Sequence, residues 1–290
     1  MYQLQRQADS EGGSEQMLSE TVALVVRDLK RWYRTPGQII LVFTTPLMWL
    51  LLFGQAFNIG KLAPPGVDVR TYFGGATDYF SFMAVGQTAF IILFGSLFSG
   101  VSLIWDRKTG FLAKLQVAPI PRASIPISRM TSTVVKALLQ AMVVLVLAAL
   151  FAYIPGLNGL KFSHQFGILE ALGLVLFLVL LGLSLAALFV ALGLIVKSEE
   201  TLFGLINLLN FPLMFTSSAL IPIALMPDWL KAVAKYNPLT FMVDGMRQLV
   251  FHSSIGAQWS VGVDLLGIGV FAALMMALGA VLARKALLRT

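Results

Sequence analysis

The chain of 290 residues has no cysteine and only two histidines, His164 and His252. It therefore has no disulfide framework and no reactive thiolate, and two scattered histidines do not favour a metal cluster. Charged residues are scarce at 12%, against about 25% in ordinary soluble domains. No G-x-x-x-x-G-K-[ST] run cradles nucleotide phosphates, so the sequence does not predict an ATPase of the P-loop kind.

Apolar residues make up 58% of the chain, and its mean hydropathy is +0.83. This composition predicts an integral membrane protein. The net charge of +7 would also suit a nucleic-acid partner, but the basic residues gather at the ends of the apolar runs. That distribution is typical of membrane orientation, so no nucleic-acid binding is expected.

Six apolar runs are compared with the roughly 20 residues that span about 30 Å of hydrocarbon. They predict an all-α fold in which residues 36–290 form a six-helix transmembrane domain. The predicted spans are 38–57, 79–104, 130–154, 166–196, 201–220 and 261–283.

The chain before the first span divides into two parts. Residues 1–16 are polar and predict a disordered tail. Residues 17–35 carry an apolar side and a charged side at helical spacing, which predicts an amphipathic helix lying in the membrane interface. This stretch is not a signal peptide, because Arg27, Asp28, Lys30 and Arg31 interrupt its apolar residues.

The distribution of lysine and arginine predicts the orientation. Fifteen of them fall on one side of the predicted membrane and six on the other, which places both termini in the cytoplasm. The fifteen are Arg6, Arg27, Lys30, Arg31, Arg34, Arg107, Lys108, Lys114, Arg122, Arg129, Lys136, Lys197, Arg284, Lys285 and Arg289, and the six are Lys61, Arg70, Lys161, Lys231, Lys235 and Arg247.

A charged hairpin, residues 105–129, separates the second and third spans on the predicted cytoplasmic side. Phe111, Leu112 and Leu115 share one face of a short helix that Pro119 must end. An apolar knob in a basic loop suits docking into a partner's groove.

The segment 221–260, on the opposite side, is too apolar for a solvated loop. Asn237 and Pro238 separate two short helices, which predicts a re-entrant hairpin in the outer leaflet. Asp244 and Arg247 lie three apart and are predicted to form a shielded pair that acts as an external gate. The alternative is a solvated interfacial hairpin without a gating role.

Polar and aromatic side chains recur at helical spacing along two spans, and amides facing lipid would be costly. They predict either a substrate cavity or a dimer interface, and hydrogen bonding between helices without a substrate role is the open alternative. The two stripes comprise Met83, Gln87, Phe90 and Phe94 in the second span, and Phe203, Asn207, Asn210, Met214 and Ser217 in the fifth.

Two segments resemble those of type-2 ABC transporter permeases. The first is DRKTGFLAKLQVAPIPRASIPISR, which resembles the family's cytoplasmic loop; the second is FTSSALIPIALMPDWLKAVAKYNPLTFMVDGMRQLVF, which is similar to its pattern after the fifth helix. The resemblance covers nearly the whole chain. It is greatest to the daunorubicin-resistance and nodulation-type export permeases.

This resemblance implies a multi-pass permease of the inner (plasma) membrane that works with two copies of a separate ABC ATPase and with a second permease, identical or paralogous. ATP and Mg would bind to the ATPase, and this chain would bind no cofactor. The cargo would be an amphipathic or lipid-like compound. The residues implied in coupling to the ATPase are Arg107, Lys108, Gly110, Phe111, Leu112, Lys114, Leu115, Pro119 and Arg122.

Two other classes of protein remain as alternatives. An ion-coupled carrier or channel usually has buried ionisable residues or broken helices in matching halves. An intramembrane enzyme needs a nucleophile, a metal cluster or paired carboxylates at membrane depth. A copurifying ATPase would distinguish the exporter from both.

Overall fold

The structure is a computed structural model that describes residues 2–56, 68–111, 121 and 123–288. Regular structure in these ranges is helical. The α-helices are α1 (Tyr2–Tyr33), α2 (Pro36–Trp49), α3 (Tyr79–Lys108), α4 (Ser124–Leu150), α5 (Ile168–Ile195), α6 (Glu199–Phe215), α7 (Asp228–Ala234), α8 (Pro238–Phe251) and α9 (Val261–Leu288).

Within the described residues, four helices are long and apolar enough to cross a membrane: α3, α4 with its short 3-10 extension to Tyr153, α5, and α9 as far as Lys285. The other two predicted spans are shorter. Helix α2 has 14 residues and passes into a π-helical turn, Leu50–Gly54, four residues after Pro46. Helix α6 has 17 residues and contains Pro212 near its end. The six-span topology therefore remains a prediction.

Helix α1 begins earlier than the sequence pattern predicted. It starts at Tyr2 rather than near Met17, so the polar residues expected to form a disordered tail continue the helix instead. Gln, Glu, Arg and Ala, which make up much of this stretch, have good helix propensity.

Helix α5 is the centre of the bundle and packs against α3, α4, α8 and α9. Its sequence is Leu-, Ala- and Val-rich all round, which suits a helix surrounded by other helices. Leu178, Leu181 and Phe189 are among its fully buried side chains. Helix α6 lies outside this core and contacts α3, with smaller contacts to α5 and α8.

Helices α3 and α5 approach to backbone contact at one crossing. A Cβ atom at Gly100 would overlap the carbonyl oxygen of Phe189, and one at Gly193 would overlap the carbonyl oxygen of Gly100. Small residues at such crossings let membrane helices pack closely in the absence of a hydrophobic driving force.

Replacing Gly100 with alanine should destabilise the bundle, because the added methyl group must push the two backbones apart. Overpacking of this kind costs about 1–3 kcal/mol, and the thermal unfolding midpoint of the purified protein measures it. The matched control is Gly269→Ala in α9, where no atom lies within 4 Å of the added methyl group. Equal midpoints for the two variants would contradict the close crossing.

Candidate functional site

Buried charges join three helices at the end of the bundle where the hairpin begins. Arg129 of α4 donates hydrogen bonds to Asp28 of α1 and to Asp106 of α3, and the Ser132 hydroxyl lies 3.3 Å from the Asp28 carboxylate. All three charged side chains are less than 9% exposed. We call Asp28, Asp106 and Arg129 the ionic cluster; it ties α1 to the two helices that flank the hairpin.

Arg107 and Lys108 join the end of α3 to the connection between α5 and α6. The Arg107 guanidinium donates to the carbonyl oxygens of Gly193, Leu194 and Val196 at 3.3, 2.8 and 2.9 Å, which satisfies carbonyls left free where α5 ends. The Lys108 ammonium donates to Glu199 at 2.6 Å. This hydrogen bond holds the pKa of the Glu199 carboxyl below its usual value.

The start of the hairpin also contacts α1. Gly110 takes a positive φ of 70°, a conformation that glycine adopts without strain, and turns the chain after α3. The Phe111 ring lies beneath the Arg27 guanidinium, whose Cζ atom is 3.8 Å from the ring centre. The other predicted coupling residues, Leu112, Lys114, Leu115, Pro119 and Arg122, lie outside the described residues.

At the opposite end of the bundle, Arg247 of α8 collects backbone carbonyl groups from two other segments. Its guanidinium donates to Phe82 in the first turn of α3 and to Ser218 and Ala219, which follow α6, at 2.8–3.3 Å. The same group lies over the Phe82 ring, 3.4 Å from its centre. Arg247 therefore fixes α8 to the start of α3 and to the chain leaving α6.

The predicted direct pair between Asp244 and Arg247 is wrong. Both side chains are buried, as expected, but the Asp244 Oδ2 atom accepts from the backbone N–H groups of Gln258 and Trp259 at 2.8 and 3.2 Å. No ion pair joins the two residues in the part of the chain that the structure describes. Arg247 instead binds backbone carbonyl groups that follow α6, and Asp244 binds backbone N–H groups that precede α9.

Asn237 and Pro238 start α8 and connect it to α6. The Asn237 Oδ1 atom accepts from the Leu239 N–H, and its amide nitrogen donates to the Leu213 carbonyl and the Thr216 hydroxyl, each at 2.8 Å. Pro238 occupies the first helical position, where its missing N–H is not needed. Three of the four predicted gate residues, Asn237, Asp244 and Arg247, thus link α8 to neighbouring segments, and Pro238 starts the helix.

The predicted polar stripes occupy α3 and α6, which contact one another. Gln87 and Asn210 are buried, and Asn210 has no hydrogen-bond partner for either side-chain atom among the described residues. The remaining stripe residues vary in burial: Met83, Phe90 and Ser217 are buried, Phe203, Asn207 and Met214 are half-buried, and Phe94 is exposed.

Sequence reasoning missed the ionic cluster, although one signal was present. Asp28 follows Val25 by three residues and so lies on the apolar side of α1. A carboxylate on an apolar face requires a buried partner. Asp106 and Arg129 both belong to the charged hairpin, and no local pattern relates two residues that are 23 positions apart in the sequence.

A helical bundle of this kind, with apolar crossing helices and charged networks at both ends, defines a polytopic membrane protein. A family model described as "ABC-2 type transporter" matches residues 19–251. The chain belongs to this family, whose members are permease subunits of ABC transporters. This match confirms the resemblance of the sequence to type-2 ABC transporter permeases.

Relatives carry names consistent with this membership. The chain is 33% identical over 243 residues to the putative transport permease ycf38 of Pyropia yezoensis, covering 83% of this chain and 77% of the relative. It is 26% identical over 265 residues to the daunorubicin resistance ABC transporter permease protein DrrB1 of Streptomyces coeruleorubidus, covering 90% and 86%. It is 24% identical over 238 residues to the probable doxorubicin resistance permease DrrC of Mycobacterium tuberculosis (strain ATCC 25618 / H37Rv), covering 82% and 79%.

Replacing Arg129 with methionine should destabilise the fold strongly, because the buried Asp106 carboxylate loses its ion-pair partner and the buried Asp28 carboxylate keeps only the partly exposed Arg27. Breaking a buried pair costs about 3–5 kcal/mol, and thermal unfolding measures the loss. The triple variant Asp28→Asn, Asp106→Asn, Arg129→Met should be less damaged than Arg129→Met alone, since no charge is stranded.

The control is Lys108→Ala, which removes an exposed ammonium group from the same end of the bundle. Exposed pairs contribute little to stability, so its unfolding midpoint should stay near that of the parent protein. If Arg129→Met also unfolds like the parent protein, the ionic cluster does not hold these helices together.

Proposed function

We propose that this chain is the transmembrane permease subunit of an ABC exporter that moves bulky amphipathic compounds out of the cytoplasm or the inner leaflet. A separate ATPase, present in two copies, drives the cycle, and a second permease completes the complex. The protein lies in the plasma membrane with both termini in the cytoplasm. Family membership and the absence of a P-loop in the sequence support a permease that works with a separate ATPase.

The observation that carries the proposal is the attachment of the hairpin base to the bundle. Three helices meet at the ionic cluster, Arg107 joins the end of α3 to the end of α5, and Phe111 packs under Arg27. A force on the hairpin from a closing ATPase would reach α1, α3, α4 and α5 together. Such rigid attachment suits a lever that shifts the bundle between two conformations.

The coupling residues take different parts in this proposal. Arg107 and Lys108 already have partners within the chain, so they position the hairpin rather than contact the ATPase. Phe111 is half-buried and lies next to the undescribed stretch that holds Leu112 and Leu115. The docking knob is assigned to these three apolar side chains.

The cargo path is assigned to the contact between α3 and α6. The amide of Asn210, which has no hydrogen-bond partner among the described residues, and the half-buried Phe203, Asn207 and Met214 offer hydrogen-bonding and polarisable groups to an amphipathic molecule. The relatives named for daunorubicin and doxorubicin resistance support a cargo of this class. On the external side, α8 acts as a gate held by Asn237, Pro238, Asp244 and Arg247.

Affinity purification of the chain from its native membrane should recover an ABC ATPase, identified by mass spectrometry, in two copies per pair of permeases. The reconstituted complex should export the fluorescent probe daunorubicin only when ATP is present. Recovery of a transport-active chain without an ATPase would contradict the proposal and favour an ion-coupled carrier.

Phe111→Ala should reduce the recovered ATPase several-fold while the amount of permease in the membrane stays normal, because the change removes part of an apolar contact. Quantitative immunoblotting of the purified complex measures the ratio. The matched control, Phe98→Ala, removes an exposed ring from α3 and should leave the ratio unchanged. An unchanged ratio in Phe111→Ala would exclude this ring from docking.

Arg247→Lys should abolish most daunorubicin export although the charge is retained. A lysine ammonium is a point charge and cannot reproduce a planar fork that binds three carbonyl groups. Reconstituted export measures the effect, with Asp228→Ala, at a fully exposed carboxylate, as the control. Export at the parent rate in Arg247→Lys would show that these carbonyl contacts do not hold a gate.

A further inference from the structure

Four aspartates are buried among the described residues, and three of them have partners that stabilise a negative charge. Asp28 and Asp106 both pair with Arg129, as described above. Asp244 accepts hydrogen bonds from two backbone N–H groups, and such bonds favour the ionised form of a carboxylate. The surroundings of the fourth, Asp264, are different.

Asp264 lies in the first turn of α9 and is 0% exposed. The side-chain amide of Gln248, in α8, donates a hydrogen bond to its Oδ2 atom at 2.9 Å. Its Oδ1 atom has no hydrogen-bond partner among the residues that the structure describes. The carboxyl group thus receives one hydrogen bond from a neutral amide, and no ion pair within the described ranges includes it.

The helices with extensive contacts to α9, which are α5 and α8, bring no cation to this carboxyl group in their described residues. The ionisable residue of α5 is the acidic Glu170, which lies 4.0 Å from His252 at the end of α8. In α8, Arg247 donates to carbonyl groups of α3 and of the chain after α6. Asp244 is one helical turn from Gln248, so an ionised Asp264 would be repelled by a like charge.

Burial decides which form of Asp264 is present. An unpaired carboxylate charge inside a protein costs far more than a neutral acid with one oxygen that lacks a hydrogen bond. The positive end of the α9 dipole favours an anion in the first turn, but this contribution is smaller than the cost of burying the charge. A carboxylic acid in such surroundings retains its proton instead of ionising.

We propose that Asp264 is a proton-binding site, which holds a proton at neutral pH and thereby allows Gln248 of α8 to pack against the first turn of α9. The proton comes from the solvent, and the carboxylate becomes an uncharged acid. Because α8 carries the residues assigned to the external gate, this proton removes a charge at the contact between the gate helix and α9. The inference concerns the chain alone and does not depend on the proposed export function.

Asp264→Asn tests the proposal, because asparagine resembles a neutral carboxylic acid in shape and cannot ionise. An aspartate in the unfolded chain has a pKa of about 3.9, so at higher pH the parent protein should release this proton on unfolding. Its stability should therefore fall as the pH rises. The contribution of this residue is about a tenfold increase in the unfolding equilibrium constant per pH unit, and the variant should lack it.

Equilibrium unfolding of the parent protein and the variant in the same detergent, between about pH 5 and pH 7, measures the two constants. Their ratio should change about a hundredfold over this range, because the effects of other titrating groups, such as His252, cancel. Asp228→Asn, at a fully exposed carboxylate, is the matched control and should give a ratio that does not vary with pH. A constant ratio for Asp264→Asn would overturn the proposal.

Infrared spectroscopy of the folded parent protein, isotopically labelled at the aspartate carboxyl carbons, detects the proton directly. A carboxylic acid and a carboxylate absorb at different frequencies, and the labelled acid band should be present at neutral pH. Gln248→Leu removes the hydrogen bond to Asp264, so the band should shift in that variant. This measurement decides the question even if Asp264→Asn does not fold: no acid band, or a band that Gln248→Leu leaves in place, would contradict the proposal.

Discussion

The structure depends on a single constraint: each charge and each free backbone group in a dry helical bundle needs a partner inside the protein. Arg247 is the hydrogen-bond partner of several backbone carbonyl groups at once. The chain after α6 and the first turn of α3 present carbonyl oxygens in the same place. One planar guanidinium binds them all, and a ring beneath it replaces part of the lost hydration. The arrangement at the far end of the bundle follows from this contact.

The same constraint organises the other end by different means. There the free carbonyls of α5 are capped by Arg107, which reaches across from α3, and a buried arginine is shared between two carboxylates. Buried or partly buried arginines thus join the helices at both ends of the bundle: Arg107 and Arg129 at one end, and Arg247 at the other. Between the two ends, α3 and α5 rely on glycine and close backbone packing rather than on polar groups.

Much of this architecture could be predicted from the sequence, because hydropathy determines which segments avoid water. The ranges of α3, α4, α5 and α9 follow from apolar run length, and Asn237-Pro238 was a sufficient signal for the boundary between α7 and α8. The burial of Asp244 and Arg247 was also predictable, since a charge in an apolar segment must be shielded.

The partners of those charges could not be predicted. Spacing along one helix shows which side chains are able to meet, but not which distant backbone groups compete for them. Asp244 therefore binds amides near Gln258, and Arg247 binds carbonyls 28 to 165 residues away along the chain. The ionic cluster could not be predicted for the same reason, because Asp28 and Arg129 are 101 residues apart in the sequence. Local patterns report exposure well and long-range pairing poorly.

The joint between α3 and α5 has a mechanical consequence. The two helices touch through backbone at Gly100 and Gly193, and a few residues further along Arg107 binds the last carbonyls of α5. With two separate points of contact, the two helices can neither slide past each other nor rotate about their crossing. Helices α3 and α5 therefore form one stiff unit, and α6, which has much smaller contacts with both, borders this unit without belonging to it.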